Sequence, residues 1–121
     1  MIHLLEANVL KDWIKKDEVS IIDVREQSEY NESSIEGSIL IPLATLTIEK
    51  VQEIAKNGKK IAIHCKSGGR SLRACQMLME DDNELEVYNL EGGIMAWNVL
   101  KEIQGKSCST GGDYSSDECK S

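Results

Sequence analysis

Phenylalanine is absent from this chain of 121 residues, which holds only two tryptophans, three tyrosines and a single proline. Aromatic residues make up 4% of it, too few to supply the stacking platforms that single-stranded nucleic acids need. Positive charge is also in deficit. Fourteen Lys and Arg stand against 21 Asp and Glu, and the formal charge of −7 disfavours a nucleic-acid partner. No apolar run approaches the length that spans a bilayer, and no basic-then-apolar leader opens the chain. The expectation is therefore a cytoplasmic protein with no membrane partner. There are four cysteines but no Cys-x-x-Cys pair, and Cys65, Cys75, Cys108 and Cys119 lack the close ligand spacing of zinc sites. No metal is expected, and a reducing compartment argues against structural disulfides.

What is present is concentrated between Lys60 and Met79. Lys60-Ile61-Ala62-Ile63-His64 is an apolar, β-branched run without polar alternation, the pattern of a strand buried on both faces. Leu72, Cys75, Leu78 and Met79 recur at helical spacing and predict a helix with those residues inward. Between them lies Cys65-Lys66-Ser67-Gly68-Gly69-Arg70. A strand feeding a short loop that opens a helix turns backbone N–H groups into the loop, and the helix start adds partial positive charge. Gly68 and Gly69 are expected to let the backbone curl with its amides inward. A cysteine at the mouth of such a cradle, beside Lys66 and Arg70, ionises readily. Cys65 is thus the expected nucleophile rather than an inert core thiol, and Lys66 and Arg70 the expected anion-binding groups. His64 is read as a packed, hydrogen-bonded structural residue instead of a general base, because neighbouring strand residues face opposite ways. Cys75 is read as a core thiol.

Elsewhere, strands and helices alternate. Ile2–Leu5, Val19–Val24, Ser38–Ile41 and Leu85–Leu90 read as further strands, the third stopped by Pro42. Ala7–Lys16, Ile48 to about Lys56 (capped by Thr47) and Ile94 to about Ile103 read as helices, with Trp97 a core anchor. Such alternation predicts an α/β domain with a central parallel sheet covered by helices on both faces. Ligands in such folds sit outside the carboxyl ends of the strands, an edge that gathers Arg25, Cys65 and Gly92. Arg25 and Glu29 are expected to form an ion pair that fixes a loop. The domain is assigned to residues 1–103. Residues 104–121 are Gly/Ser-rich, nearly free of aliphatics, and read as a flexible tail carrying Cys108 and Cys119.

Several segments in order resemble the single-domain rhodanese (thiosulfate sulfurtransferase) family. They are Asp23-Val24-Arg25 with Glu29-Tyr30, Gly37 through Ile41-Pro42-Leu43, the loop Cys65 to Ser71, and Leu90-Glu91-Gly92-Gly93-Ile94-Met95-Ala96-Trp97. The resemblance covers about Ile2 to Leu100. It departs at Ser34, where the family usually has histidine. It implies a rhodanese-like fold and a ping-pong sulfurtransferase. Cys65 would take sulfane sulfur from a small anionic donor such as thiosulfate and carry it as a persulfide to a thiol or cyanide acceptor. Lys66 and Arg70 would hold the donor, the amides of Ser67, Gly68 and Gly69 would stabilise the persulfide, and no cofactor is required. A protein thiol is a further candidate acceptor, and Cys108 or Cys119 could play that part within the chain. Two rivals are a non-catalytic rhodanese-like module and a Cys-x5-Arg phosphatase. Only four residues separate Cys65 from Arg70, a cradle too tight for a phosphoryl group.

Overall fold

The computed structural model describes residues 1–106, with side chains to residue 102. Five strands form one sheet: β1 (Ile2–Leu5), β2 (Val19–Asp23), β3 (Ile39–Leu40), β4 (Lys60–His64) and β5 (Val87–Leu90). Every pairing is parallel and the order is β1-β5-β4-β2-β3, so β4 lies at the centre between β5 and β2. That position accounts for its unbroken apolar sequence. Ile61 and Ile63 pack on one face, against residues of α3 (Ile48–Ala55) and α4 (Gly69–Asp81) such as Val51, Ala74, Cys75 and Leu78. Ala62 packs on the other, with Leu10 of α1 (Ala7–Lys15) and with Ile94 and Trp97 of α5 (Gly93–Lys106). The sheet is thus covered by helices on both sides, as the alternating sequence pattern predicts.

Local signals set most of the boundaries. The Thr47 hydroxyl accepts the Lys50 N–H at 3.3 Å and caps α3, while Gly58, with φ +80°, takes the left-handed turn that follows the helix. Three sequence expectations change. A short helix, α2 (Gln27–Glu32), occupies a stretch read as loop; none of its residues is buried, so it carries no apolar periodicity to detect. In α4 the buried face consists of Ser71, Ala74, Cys75 and Leu78, whereas Leu72 is 38% exposed. The helix is turned from its expected orientation because Ser71, the residue after Arg70, faces the loop. Finally, α5 continues to Lys106, beyond the expected end at Ile103. Cys108 and Cys119 lie outside the described residues.

The junction between β5 and α5 governs how the β4–α4 loop is held. Gly92 and Gly93 both have positive φ, +76° and +58°. A Cβ at Gly93 would lie 2.5 Å from the carbonyl oxygens of Cys65 and Lys66, contacts with backbone that no rotamer change relieves. Gly93→Ala is therefore expected to cost roughly 3 kcal/mol or more, through strain and overpacking together. At Gly69 nothing lies within 4 Å and φ is not positive. Gly69→Ala should shift stability by less than about 1 kcal/mol in either direction. Urea denaturation of the two variants checks the contrast.

Candidate active site

Cys65 follows β4 directly, at the carboxyl edge of the sheet, and α4 begins four residues later. Gly68, at φ +113°, turns the chain so that its N–H points back at the sulfur, 3.1 Å from Sγ. The Ser71 hydroxyl stands 3.5 Å from the same atom. Gly69 makes no use of its conformational freedom, so of the two loop glycines only Gly68 is needed for the curl.

The sulfur is not at the mouth of the cradle. Cys65 is 1% exposed, so its expected place at the mouth is corrected to one inside the cradle. Burial works to raise its pKa. Hydrogen bonds from the Ser71 hydroxyl and from the backbone of Ser71, Gly68 and Ser67 outweigh it, and the thiol is held below its ordinary value. Cys75, one helical turn beyond Ser71, meets the same burial without comparable donors, and its thiol is pushed up to about 12. It is the core thiol expected.

The charged groups pair differently from the sequence reading. Arg25 bonds Asp23, not Glu29: Nε and Nη2 reach the carboxylate at 2.8–3.1 Å, and Nη2 also donates to the Ser33 carbonyl at 2.6 Å. Both partners are buried. Glu29 instead grips Arg70 in a two-pronged bridge, each contact 2.9 Å. The Arg70 hydrogen bonds are the main reason that the Glu29 carboxyl is drawn down to about 2. Arg70 is consequently already neutralised, and Lys66, exposed on the loop, has no ion pair among the described residues. Ser67 is exposed beside it.

His64 is buried, as expected of a structural residue. Its Nδ1 lies 3.3 Å from the Cys65 carbonyl, which can only accept, so the proton sits on Nδ1. Nε2 has no hydrogen-bond partner among the described residues and rests 3.7 Å from Asp23 Oδ2. Burial lowers the pKa of this histidine, leaving it neutral.

Two contributors escape the sequence reading. One is Ser71, which a helical turn folds back over Gly68. The other is Asn89 on β5, 4% exposed, whose Oδ1 lies 2.5 Å from Ser71 Oγ. Their only signal in the sequence is polarity at inward positions. Next to the loop opens a cavity of about 240 Å³, lined by Lys66, Glu29, Glu32, Arg25 and Ser33 and by Ile94, Met95 and Asn98 of α5. A larger cavity of about 420 Å³, around Ile14, Ile35 and Trp97, holds none of these groups. Among the described residues there is no cluster of His, Cys, Asp or Glu placed to hold a metal ion. None of the described helices is long and apolar enough to cross a membrane.

A family model for the rhodanese-like domain matches residues 6–100. The chain belongs to the rhodanese-like family. It is 37% identical over 94 residues to the putative sulfurtransferase YtwF of Bacillus subtilis, an alignment covering 77% of this chain and 87% of that protein. Thiosulfate sulfurtransferase GlpE of Coxiella burnetii is 33% identical over 92 residues, covering 74% and 83%. Among solved structures, a rhodanese-related protein from Thermoplasma volcanium superposes with a TM-score of 0.67 at 32% identity, over 81% of this chain and 92% of that one. The resemblance noted in the sequence is thereby confirmed at the level of family and fold.

The Glu29–Arg70 bridge makes stability depend on pH. Because the folded-state pKa of Glu29 is depressed, from 4.5 to about 2, its contribution is present at neutral pH. It is lost as pH falls through the interval between those values. The pair is partly solvated, so Glu29→Gln should cost only about 1 kcal/mol near neutrality. The gap between variant and wild type should close as pH approaches 2. Urea midpoints across that range measure it.

Proposed function

We propose that this protein is a sulfurtransferase that carries sulfane sulfur on Cys65, taking it from a small anionic donor such as thiosulfate and passing it to a thiol or cyanide acceptor. The observation that carries the reading is the environment of Cys65 Sγ, a buried sulfur that receives the Gly68 N–H and stands beside the Ser71 hydroxyl. Such a site favours a sulfur anion over a neutral thiol. Membership of a family whose relatives are named sulfurtransferases supports it.

The Cys65 thiolate attacks the outer sulfur of thiosulfate. The new S–S bond forms as the old one breaks, and sulfite departs with the electron pair. The transferred sulfur remains on Cys65 as a persulfide anion, stabilised by the N–H groups of Ser67, Gly68 and Gly69. An acceptor thiolate, or cyanide, then attacks that outer sulfur and returns Cys65 to the thiolate. This is a ping-pong route of covalent catalysis requiring no cofactor.

Lys66 supplies the free charge that attracts the dianionic donor. Arg70, held by Glu29, presents the remainder of its guanidinium and cancels a carboxylate that would otherwise repel the donor. The acceptor approaches through the cavity lined by Lys66, Glu32 and Met95.

Cys65→Ser should abolish thiocyanate formation from thiosulfate and cyanide, together with the one-sulfur mass increment on the donor-loaded protein. Cys75→Ser should leave both largely intact. Lys66→Ala should raise KM for thiosulfate about fivefold, as expected of one screened charge worth roughly 1 kcal/mol. Arg70→Ala should be more damaging, because it leaves Glu29 unpaired beside the donor. Steady-state kinetics with thiosulfate decides these points. Activity surviving in Cys65→Ser, or turnover of an aryl phosphate by the wild type, would overturn the reading.

A further inference from the structure

The hydrogen bonds around Ser71 contain one proton fewer than their acceptors can use. Ser71 Oγ has three acceptors in reach: the Gly68 carbonyl at 3.1 Å, Asn89 Oδ1 at 2.5 Å and Cys65 Sγ at 3.5 Å. The Gly68 carbonyl is already engaged. It accepts the Leu72 N–H at 3.0 Å within α4 and the Asn89 Nδ2 at 3.4 Å, which uses both of its lone pairs. That second contact also fixes the orientation of the Asn89 amide, since a carbonyl cannot donate and must face the NH₂ group. Asn89 Oδ1 therefore faces Ser71. Two places remain for the hydroxyl proton, Asn89 and the sulfur.

We propose that Asn89 is a positioning residue for Cys65, holding the Ser71 hydroxyl proton while the sulfur is a neutral thiol and yielding it when the sulfur becomes an anion. In the neutral state the S–H can donate to Ser71 Oγ while the hydroxyl donates to Asn89. Once the thiol proton is lost to solvent, Sγ has no donor of its own and becomes the stronger acceptor. Rotation of one C–O bond then moves the hydroxyl proton from Asn89 to the sulfur. No bond to carbon or sulfur changes, and no proton leaves Ser71. The same rotation serves each departure of sulfur from Cys65, which regenerates the thiolate. Asn89 and Ser71 are both buried, so water does not compete for the proton.

The charged and titratable groups on the elements around this site are Lys66 and Arg70 on the loop and the start of α4, His64 on β4, Asp23 and Arg25 at the end of β2, and Glu91 after β5. Substitution of Asn89 by an apolar residue adds or removes no charge among them. Its effect on thiol ionisation is therefore read as a hydrogen-bond effect.

The inference rests on Cys65 being the sulfur carrier, but its test needs no transfer assay. The rate of iodoacetamide alkylation at Cys65, followed by peptide-resolved mass spectrometry in the full-length protein, gives the pH midpoint of thiol ionisation. In Asn89→Leu, ionisation no longer requires a competing bond to be broken, and the midpoint should fall by about one pH unit or less. Asn89→Ala, smaller and easier to accommodate, should shift the same way. In a Ser71→Ala background the midpoint should be higher than in wild type, and adding either Asn89 substitution should leave it unmoved. A midpoint that is unchanged or raised by both Asn89 substitutions overturns the proposal, since it would mean that Asn89 only braces the loop. So does an equal shift with and without Ser71, which would bypass the hydroxyl.

Discussion

A loop that turns N–H groups toward one sulfur turns carbonyls outward, and buried carbonyls need donors. A helix start has the complementary deficiency, because its first N–H groups find no partner inside the helix. This protein sets one against the other. The Cys65 carbonyl accepts the Ile94 N–H at 2.9 Å and the Lys66 carbonyl accepts the Met95 N–H at 3.2 Å, both at the first turn of α5. The two backbones approach so closely that only glycine fits at position 93. The cradle is thus shaped from outside, by a helix that belongs to the following strand. The Leu90–Trp97 segment, for which no contact with the sulfur is recorded, is part of the candidate site for that reason.

Charge is arranged with the same economy. On a protein of net charge −7, an anionic donor meets a repulsive field unless the site is locally neutral or positive. The Asp23–Arg25 pair closes one side of the site as a neutral wall, and neutral His64 stands beside it. A buried pair of this kind adds little net stability, but losing one partner would strand a buried charge at a cost of about 3–5 kcal/mol. The Glu29–Arg70 bridge neutralises a second carboxylate near the entrance. Lys66 on the loop is then a cation with no ion pair among the described residues. Under the proposed function, attraction of an anionic donor would fall to this side chain, whose charge is not spent on holding the structure.

The sequence made the β4–loop–α4 unit legible because β4 is buried on both faces and its pattern depends on no partner. The strand–helix alternation, and hence the parallel sheet, followed from the same kind of local signal. What it concealed depends on distant residues meeting. Glu29 lies four residues from Arg25 and 41 from Arg70, so proximity along the chain favoured the wrong partner. Helix α2, which carries Glu29, buries nothing and so leaves no periodic trace. Asn89 shares a strand face with Val87, which packs in the core beside α4, and only that register turns a lone polar residue into a neighbour of Ser71. The depth of Cys65 was not legible because the residues that follow it are polar or glycine. They wrap the sulfur with backbone, and their side chains point elsewhere.

The two described cysteines isolate what separates an easily ionised thiol from an inert one. Both are buried, Cys65 at 1% exposure and Cys75 at 0%, and they lie on opposite sides of Ser71 along the chain. For both, loss of solvent is the largest single influence and favours the neutral thiol. They diverge because Cys65 receives hydrogen bonds from the amides of a loop and from Ser71, while Cys75 sits inside a helix whose N–H groups are committed to helix carbonyls. Ionisation of the Cys65 thiol is therefore favoured by the direction of a few N–H and O–H bonds, against the effect of its burial. A four-residue spacing between Cys65 and Arg70 serves that arrangement. It brings the Ser71 hydroxyl, and no guanidinium, to the inner side of the sulfur.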